Sequence, residues 1–168
     1  MALHDELLDE AVRLLAISDS PPTQARLRRI VSTAYYAIYH LLVHEATTML
    51  ASEEPLRYLV GRAFVHSEMK DATRSFASMN LPKEIKEVWS GEIPKQLQDV
   101  AKTFQDLQVE RHYADYKLNH QLKVSDVNKH VIRVQKAFQD WKTIKSEPIA
   151  RIFLASLLLG KKWKHDEK

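Results

Sequence analysis

The chain has 168 residues, enough for one domain with a hydrophobic core, and its formal net charge of +3 at pH 7 is weak evidence for nucleic-acid binding. It contains no cysteine, which excludes disulfides, thiolate zinc sites and cysteine nucleophiles and fits a reducing, cytoplasmic location. The glycine count of 3 favours helices, because sheet proteins usually need more glycines in their turns. The longest apolar run, 152–159, falls short of the roughly 20 residues that span a bilayer, so no membrane segment is predicted.

The spacing of apolar residues predicts an all-α protein, which we interpret as a single domain over residues 1–168. The predicted helices run from about 3 to 17, 22 to 51, 53 to 78, 93 to 118 and 126 to 145, with a short C-terminal helix at about 147–160. Pro82 and Gly91 punctuate the connection at 79–92, which contains a short helical turn. An up-and-down bundle of about five helices is the simplest architecture.

The second predicted helix carries a polar and aromatic face beside its apolar one. Its members are separated by four, three and four residues: Arg29, Thr33, Tyr36 and His40. Tyrosines at helical spacing are usually packing residues, and a lone histidine is usually structural. The functional alternative is that this face lines a cleft together with Arg111 of a later helix.

Basic residues cluster on the second and third predicted helices. Three arginines lie close together at the start of the second: Arg26, Arg28 and Arg29. Three residues spaced by four stack along the third: Arg62, His66 and Lys70. The arginine cluster could attract phosphates, helped by the helix dipole if it lies near the N-terminus, but such a cluster is more often a solvated face. The stack on the third helix could extend a basic surface or could equally pair with Glu68 and Asp71.

The fourth predicted helix has an apolar stripe that is interrupted by a charge. Its members alternate by three and four residues: Leu97, Val100, Phe104, Leu107, Arg111, Ala114 and Leu118. Arg111 must be paired or reach water, because desolvating a guanidinium is costly. Three interpretations stay open: a salt bridge to Asp115 one turn later, a cleft in which Arg111 meets phosphate, and a half-exposed stripe from which it snorkels to water. Spacing alone favours the salt bridge.

Neither a metal site nor a cofactor is predicted. His40 and His44 have the helical spacing of two metal ligands and precede Glu45, but the sequence indicates no third ligand nearby. Nothing matches a glycine-rich phosphate loop or a nucleophile elbow. Any catalysis would depend on arginine, histidine, tyrosine and carboxylate side chains.

Two segments matter together: 29-RIVSTAYYAIYHLL-42, with the pattern AYYAxxH, and 110-ERHYADY-116, with the pattern RxxADY. Together they resemble the HEPN superfamily of helical nucleotide-binding domains, in particular its small bacterial branch. The stretch 62-RAFVHSEMKDA-72 is also similar to the histidine-containing third helix of that branch. The resemblance spans roughly 25–140, places a HEPN-like core at about 22–145, and implies an up-and-down helical bundle that is commonly a homodimer.

The resemblance also implies a function. Many HEPN proteins are metal-independent ribonucleases whose signature is an arginine, four to six further residues and a histidine at the end of the late helix; others bind nucleotides or pair with a nucleotidyltransferase as toxin and antitoxin. Arg111 matches the arginine, but Tyr116, Lys117 and Leu118 occupy the positions of the histidine. His112 is adjacent to the arginine, and His120 is too distant unless the helix breaks near Asn119.

We therefore expect a HEPN-like protein that binds RNA or a nucleotide at an inter-helix or dimer cleft, in a toxin–antitoxin or defence context. The expected binding residues are Arg29, Tyr36, His66, Arg111, Asp115 and Tyr116. One alternative is a metal-independent ribonuclease with a variant site, in which Arg111 acts with His40, His112 or His120. Another is a non-catalytic protein-interaction module. A homodimer and a nucleotidyltransferase antitoxin are the protein partners that the resemblance implies.

Overall fold

The computed structural model describes residues 1–17 and 20–163, and within these ranges the chain is helical with no β-strand. The helices of the described residues are α1 (Leu3–Ala16), α2 (Gln24–Leu50), α3 (Glu54–Gly61), α4 (His66–Ala77), α5 (Lys83–Val88), α6 (Lys95–Tyr116), α7 (Val124–Ile144) and α8 (Pro148–Leu159). The all-α prediction is confirmed, whereas the predicted count of about five helices is not. No helix in the described ranges is both long and apolar enough to cross a membrane.

The largest difference from the predicted elements is a break in the third predicted helix, 53–78. α3 ends at Gly61, and α4 begins only after Val65, whose backbone is extended with φ −117° and ψ 126°. Glycine is a poor helix former, and the turn that follows it buries the side chain of Phe64, which is 7% exposed. The short helical turn predicted within 79–92 is α5.

The backbone divides into two compact units, of which the first comprises Met1–Leu41 and Thr103–Gln139. It contains α1, the start of α2, the end of α6 and most of α7. These helices bury apolar side chains at helical spacing, among them Ala11, Leu27, Ile30, Ala34, Ile38, Phe104, Leu107, Val127, Val131 and Val134. The loop before α7 is tied to α2, since the Gln24 side chain donates to the carbonyl of Leu122 and accepts from its N–H, both at 2.9 Å.

The second unit comprises Leu42–Lys102 and the chain from Asp140 onward. Within it α4 packs against α8. The rings of Phe76 and Phe153 lie edge to face with centres 5.0 Å apart, and Trp141 lies 6.1 Å from Phe153. α8 is therefore a core helix of this unit, whereas α3 buries none of its side chains.

Candidate functional site

Arg111 lies near the C-terminal end of α6, on the face that carries buried apolar residues. Leu107, one turn earlier, is fully buried, and Ala114 is 4% exposed. The Arg111 side chain itself retains 20% exposure. α6 ends at Tyr116, so the predicted last member of the stripe, Leu118, lies outside the helix and is 89% exposed. The apolar face therefore gives way to a half-open site at Arg111.

Two side chains hold the guanidinium of Arg111. Its Nε lies 2.7 Å from Asp115 Oδ2, and its Nη2 donates a 2.7 Å hydrogen bond to the Tyr36 hydroxyl. The Nε–H has no hydrogen-bond partner among the described residues, so the Asp115 contact is an ion pair without hydrogen-bond alignment. Nη1 takes part in neither contact. The predicted salt bridge is present, but it does not enclose the arginine.

Three tyrosine rings surround the same guanidinium. Arg111 Cζ lies 5.3 Å from the ring centre of Tyr36 and 5.7 Å from those of Tyr35 and Tyr116. These distances suit cation–π contact. Tyr35 is fully buried, whereas Tyr116 is 62% exposed. The guanidinium therefore contacts a buried tyrosine, Tyr35, on one side and a solvent-accessible one, Tyr116, on another.

These surroundings keep Arg111 charged and the buried phenol neutral. Burial lowers the pKa of Arg111, but Tyr36, Asp115 and Tyr116 raise it, and the net pKa lies above the ordinary value. Burial raises the pKa of Tyr35 far above that of a free phenol, even though the positive charge of Arg111 opposes this shift. At neutral pH the site therefore presents a fixed positive charge beside a neutral phenol.

Asp115 is also held from α2. The Ser32 hydroxyl donates a short hydrogen bond to Asp115 Oδ1, while Oδ2 faces Arg111. Ser32 lies one turn before Tyr36, so one face of α2 supports both members of the ion pair. We call the set Ser32, Tyr35, Tyr36, Arg111, Asp115 and Tyr116 the Arg111 cluster. The sequence-based prediction missed Ser32, although its spacing of four from Tyr36 was a usable signal.

The aromatic face continues along α2 beyond Tyr36. The Tyr36 ring centre lies 6.3 Å from that of Tyr39 and 6.2 Å from that of His40. The rings of Tyr39 and His40 lie edge to face at 5.2 Å. Burial, followed by the neighbouring Tyr36, raises the pKa of Tyr39 above its ordinary value. The half-buried His40 is therefore joined to the Arg111 cluster through the ring of Tyr36.

Arg28 fits neither alternative left open for its cluster, since its charge neither lies on a solvated face nor is left for a phosphate. Its guanidinium donates to five backbone carbonyls at the end of α6 and in the following turn: Tyr113, Ala114, Lys117, Leu118 and His120. The shortest of these bonds are 2.5 Å to Ala114 and 2.6 Å to His120. Carbonyls at a helix C-terminus lack intrahelical partners and carry partial negative charge. Arg28 therefore holds the end of α6 in place, and its charge is used within the chain.

The other two arginines of that predicted cluster differ from each other. Arg26 Nη2 donates to the carbonyls of Ile17 at 3.1 Å and Ser20 at 3.4 Å, so it too is engaged by the backbone. Arg29 is exposed and forms no hydrogen bond or ion pair within residues 1–17 and 20–163. Of the three, Arg29 alone has no internal partner in the described part of the chain.

Two of the histidines considered as acid or base lie near the C-terminal end of α6: His112 within the helix and His120 in the turn that follows it. The exposed His112 has its ring centre 5.2 Å from that of Tyr116. The chain after α6 folds back, as a break near Asn119 would require, but it carries His120 to Tyr113, 5.2 Å between ring centres. His120 Nε2 also lies 4.0 Å from a carboxylate oxygen of Glu110. The structure thus brings His112 beside the Arg111 cluster and aligns His120 with a different face of α6.

Two further predictions concern His66 and the possible metal ligands His40, His44 and Glu45. His66 is the first residue of α4 and belongs to the second unit, whereas the Arg111 cluster belongs to the first. Within residues 1–17 and 20–163 no three histidine, cysteine or acidic side chains are arranged to hold a metal ion, and this includes the His40, His44 and Glu45 set.

Fold and site together define an all-helical protein with a half-buried arginine held among tyrosines between α2 and α6. No family model, curated protein or solved structure matches the chain. The chemistry of the Arg111 cluster and the sequence motifs that contain it are therefore the observations that bear on its function.

Proposed function

We propose that this chain is a HEPN-like helical protein that binds RNA or a nucleotide at the Arg111 cluster. One observation carries the proposal: a charged guanidinium on a packing face keeps 20% exposure, and its Nη1 takes part in neither of its polar contacts, to Asp115 and to Tyr36. Arginine recognises phosphate oxygens through its planar set of N–H donors. Tyr116, 62% exposed and 5.7 Å from Arg111 Cζ, offers a ring on which a base can stack.

Asp115 limits the affinity of such a site. A bound phosphate would share the guanidinium with a carboxylate that lies 2.7 Å from Nε, and the two anions repel each other. Because Ser32 holds the other carboxylate oxygen, Asp115 is restrained from turning away. We therefore expect moderate affinity that falls as salt is added, as it does wherever phosphate contacts dominate.

Fluorescence anisotropy with a labelled single-stranded RNA, and with a labelled nucleotide, tests the proposal. Arg111→Met should weaken binding by about tenfold or more, which corresponds to about 1.4 kcal/mol or more of lost binding free energy. Arg13→Met is the matched control, because Arg13 is exposed on α1 and also pairs with a carboxylate, that of Glu10. If the parent protein binds neither probe at low salt, the proposal is wrong.

The metal-independent ribonuclease remains an alternative proposal. It is supported by the exposed His112 beside Tyr116 and the half-buried His40 beside Tyr36, since histidine is the usual general acid or base near neutral pH. RNA incubated with concentrated protein and a chelator distinguishes the two. RNA that stays intact removes this alternative, whereas cleavage that is lost in His112→Gln or His40→Gln favours it.

The proposal includes the two protein partners that the resemblance implies, a second copy of the chain and a nucleotidyltransferase antitoxin. α3 supports a protein contact, because Leu56, Tyr58 and Leu59 are 45%, 69% and 59% exposed. Apolar groups exposed together are typical of protein-binding surfaces. Sedimentation velocity of the parent and of Leu59→Glu tests the homodimer. A dimer that dissociates in the variant supports it, and a monomeric parent contradicts it.

A further inference from the structure

A second polar site lies in the first unit, where the end of α6, the following turn and the first turns of α7 border an open depression of about 500 Å³. Its lining includes Glu110, His120, Lys123, His130 and Arg133. None of these residues belongs to the Arg111 cluster. Ligand sites for small molecules commonly have volumes of about 300–1,000 Å³ and a few convergent polar groups, so the depression has the dimensions of such a site.

The ion pairs around the depression leave positive charge available. Two pairs neutralise nearby carboxylates: Arg133 with Asp106 at 2.8 Å and Lys129 with Asp126 at 3.7 Å. Glu110 lies 4.0 Å from His120 Nε2 and is neutralised there only when that ring is protonated. Arg133 uses Nη2 for its pair, which leaves its other N–H groups for a ligand. Lys123 lines the depression and forms no ion pair within the described ranges, so it and Arg133 are the cationic donors available to a ligand.

His130 adds a titratable nitrogen to the same lining. Its Nδ1 is buried and has no hydrogen-bond partner among the described residues. Burial lowers the pKa of His130, and the net shift stays downward although carboxylates from two helices oppose it: Glu110 and Asp106 of α6 and Asp126 of α7. Arg133, also on α7, lowers the pKa further. His130 therefore contributes to the depression through the part of its ring that lines it, and not through the buried Nδ1.

We propose that this depression binds the phosphate group of a small ligand. Lys123 and Arg133 supply the fixed positive charge, and His130 becomes a further donor when it is protonated. A phosphate fits this set better than a carboxylate does, because its tetrahedral oxygens can accept from several donors that converge from different directions. The inference does not depend on RNA or nucleotide binding at Arg111, since the two sites share no residue.

The proposal requires binding to be linked to protons. A bound anion favours the charged form of His130 and therefore raises its pKa, so the complex takes up protons on formation. Because the pKa of His130 in the free protein lies below the ordinary 6.5, affinity should rise as the pH falls through 6.5 and continue to rise below it. Sulfate is the probe for this dependence, because it remains a dianion throughout the range whereas phosphate itself titrates.

Isothermal titration calorimetry of the full chain tests the site with inorganic phosphate, sulfate, glycerol 3-phosphate and acetate. Lys123→Gln should weaken phosphate binding by about tenfold, the size expected for one charge-assisted contact. Lys136→Gln is the control, because it removes the same charge from an exposed position of α7 outside the depression and should leave the affinity within about twofold. His130→Gln should reduce the pH dependence of sulfate binding while phosphate binding persists in weakened form.

Each result of these titrations either supports the phosphate site or overturns it. The proposal is supported by saturable binding of phosphate and glycerol 3-phosphate that Lys123→Gln weakens and Lys136→Gln does not. It also requires that sulfate binding tighten at low pH more in the parent than in His130→Gln. The absence of heat at millimolar phosphate overturns it, and so does equal weakening by both lysine variants. Acetate binding as tight as phosphate binding also overturns it. Arg111→Met should leave these titrations unchanged, so failure here and failure of the proposed function are distinguishable.

Discussion

Replacing Arg111 with methionine removes the charge and keeps a side chain of similar shape. It deletes the ion pair to Asp115, the hydrogen bond to Tyr36 and the contacts with three rings. An ion pair at i,i+4 contributes about 0.3–0.5 kcal/mol, and a hydrogen bond from a charged donor about 1.5–3 kcal/mol. Ring contacts at partly exposed sites contribute about 0.5–1 kcal/mol.

These contributions overlap, so they do not add. The 20% exposure of Arg111 reduces each of them, and the methionine recovers part of the loss by burying apolar surface. We expect the free energy of unfolding to fall by about 1–3 kcal/mol, which the protein can tolerate within the usual range of domain stabilities. Binding should fall by about tenfold or more in a variant that remains folded, because the variant has no donor for a phosphate.

Urea unfolding at 25 °C of the parent, Arg111→Met, Tyr36→Phe and the double variant measures this loss. The coupling energy between the two substitutions should be about 1–2 kcal/mol, the value of their hydrogen bond. Arg111→Lys keeps the charge but not the planar donor set, so it should retain part of the stability and little of the binding. A folded Arg111→Met variant that binds RNA and nucleotide as the parent does would refute the reasoning. A loss above about 5 kcal/mol would instead make Arg111 a structural residue.

Two further predictions concern Arg28 and His130. In urea unfolding, Arg28→Met should lower the free energy of unfolding by about 2–4 kcal/mol, because the carbonyls at the end of α6 lose their charged donor. The control Arg29→Met should change it by less than about 0.5 kcal/mol. Equal effects of the two variants would contradict the role of Arg28 in holding the end of α6. The folded pKa of His130 is lowered from 6.5, so the unfolded chain binds more protons and stability is lost as the pH falls through 6.5 towards the lowered folded value. Thermal unfolding between about pH 7.5 and 5 should therefore show a shallower loss for His130→Gln than for the parent, and identical slopes would rule out this linkage.

The local spacing of apolar residues and prolines was enough to predict most of the helices. α2, α6 and α8 lie within about two residues of their predicted ends, because apolar periodicity and flanking prolines mark these boundaries in the sequence itself. The break between α3 and α4 falls at Gly61, a local signal that the sequence-based prediction did not use, and it accompanies the burial of Phe64, which local spacing does not encode. The same limit applies to Leu118, which continues the stripe in sequence but lies beyond the end of α6.

The candidate site was predictable where its contacts are local. Arg111 and Asp115 are one helical turn apart, so their ion pair follows from spacing. The contact of Arg111 with Tyr36 spans 75 residues, and that of Ser32 with Asp115 spans 83, so each needed the packing of α2 on α6. The role of Arg28 could not be predicted locally, since its carbonyl partners lie 85 to 92 residues away and its sequence neighbours indicated only a solvated face or a phosphate contact.

The most direct test of RNA or nucleotide binding at Arg111 compares the parent, Arg111→Met and Arg13→Met. Each protein is titrated with a labelled single-stranded RNA and with a labelled nucleotide, at low and at moderate salt. The account predicts saturable binding that weakens with salt, falls by about tenfold or more in Arg111→Met and stays within about twofold in Arg13→Met. Equal binding by the parent and a folded Arg111→Met, or no binding by the parent at low salt, would contradict it.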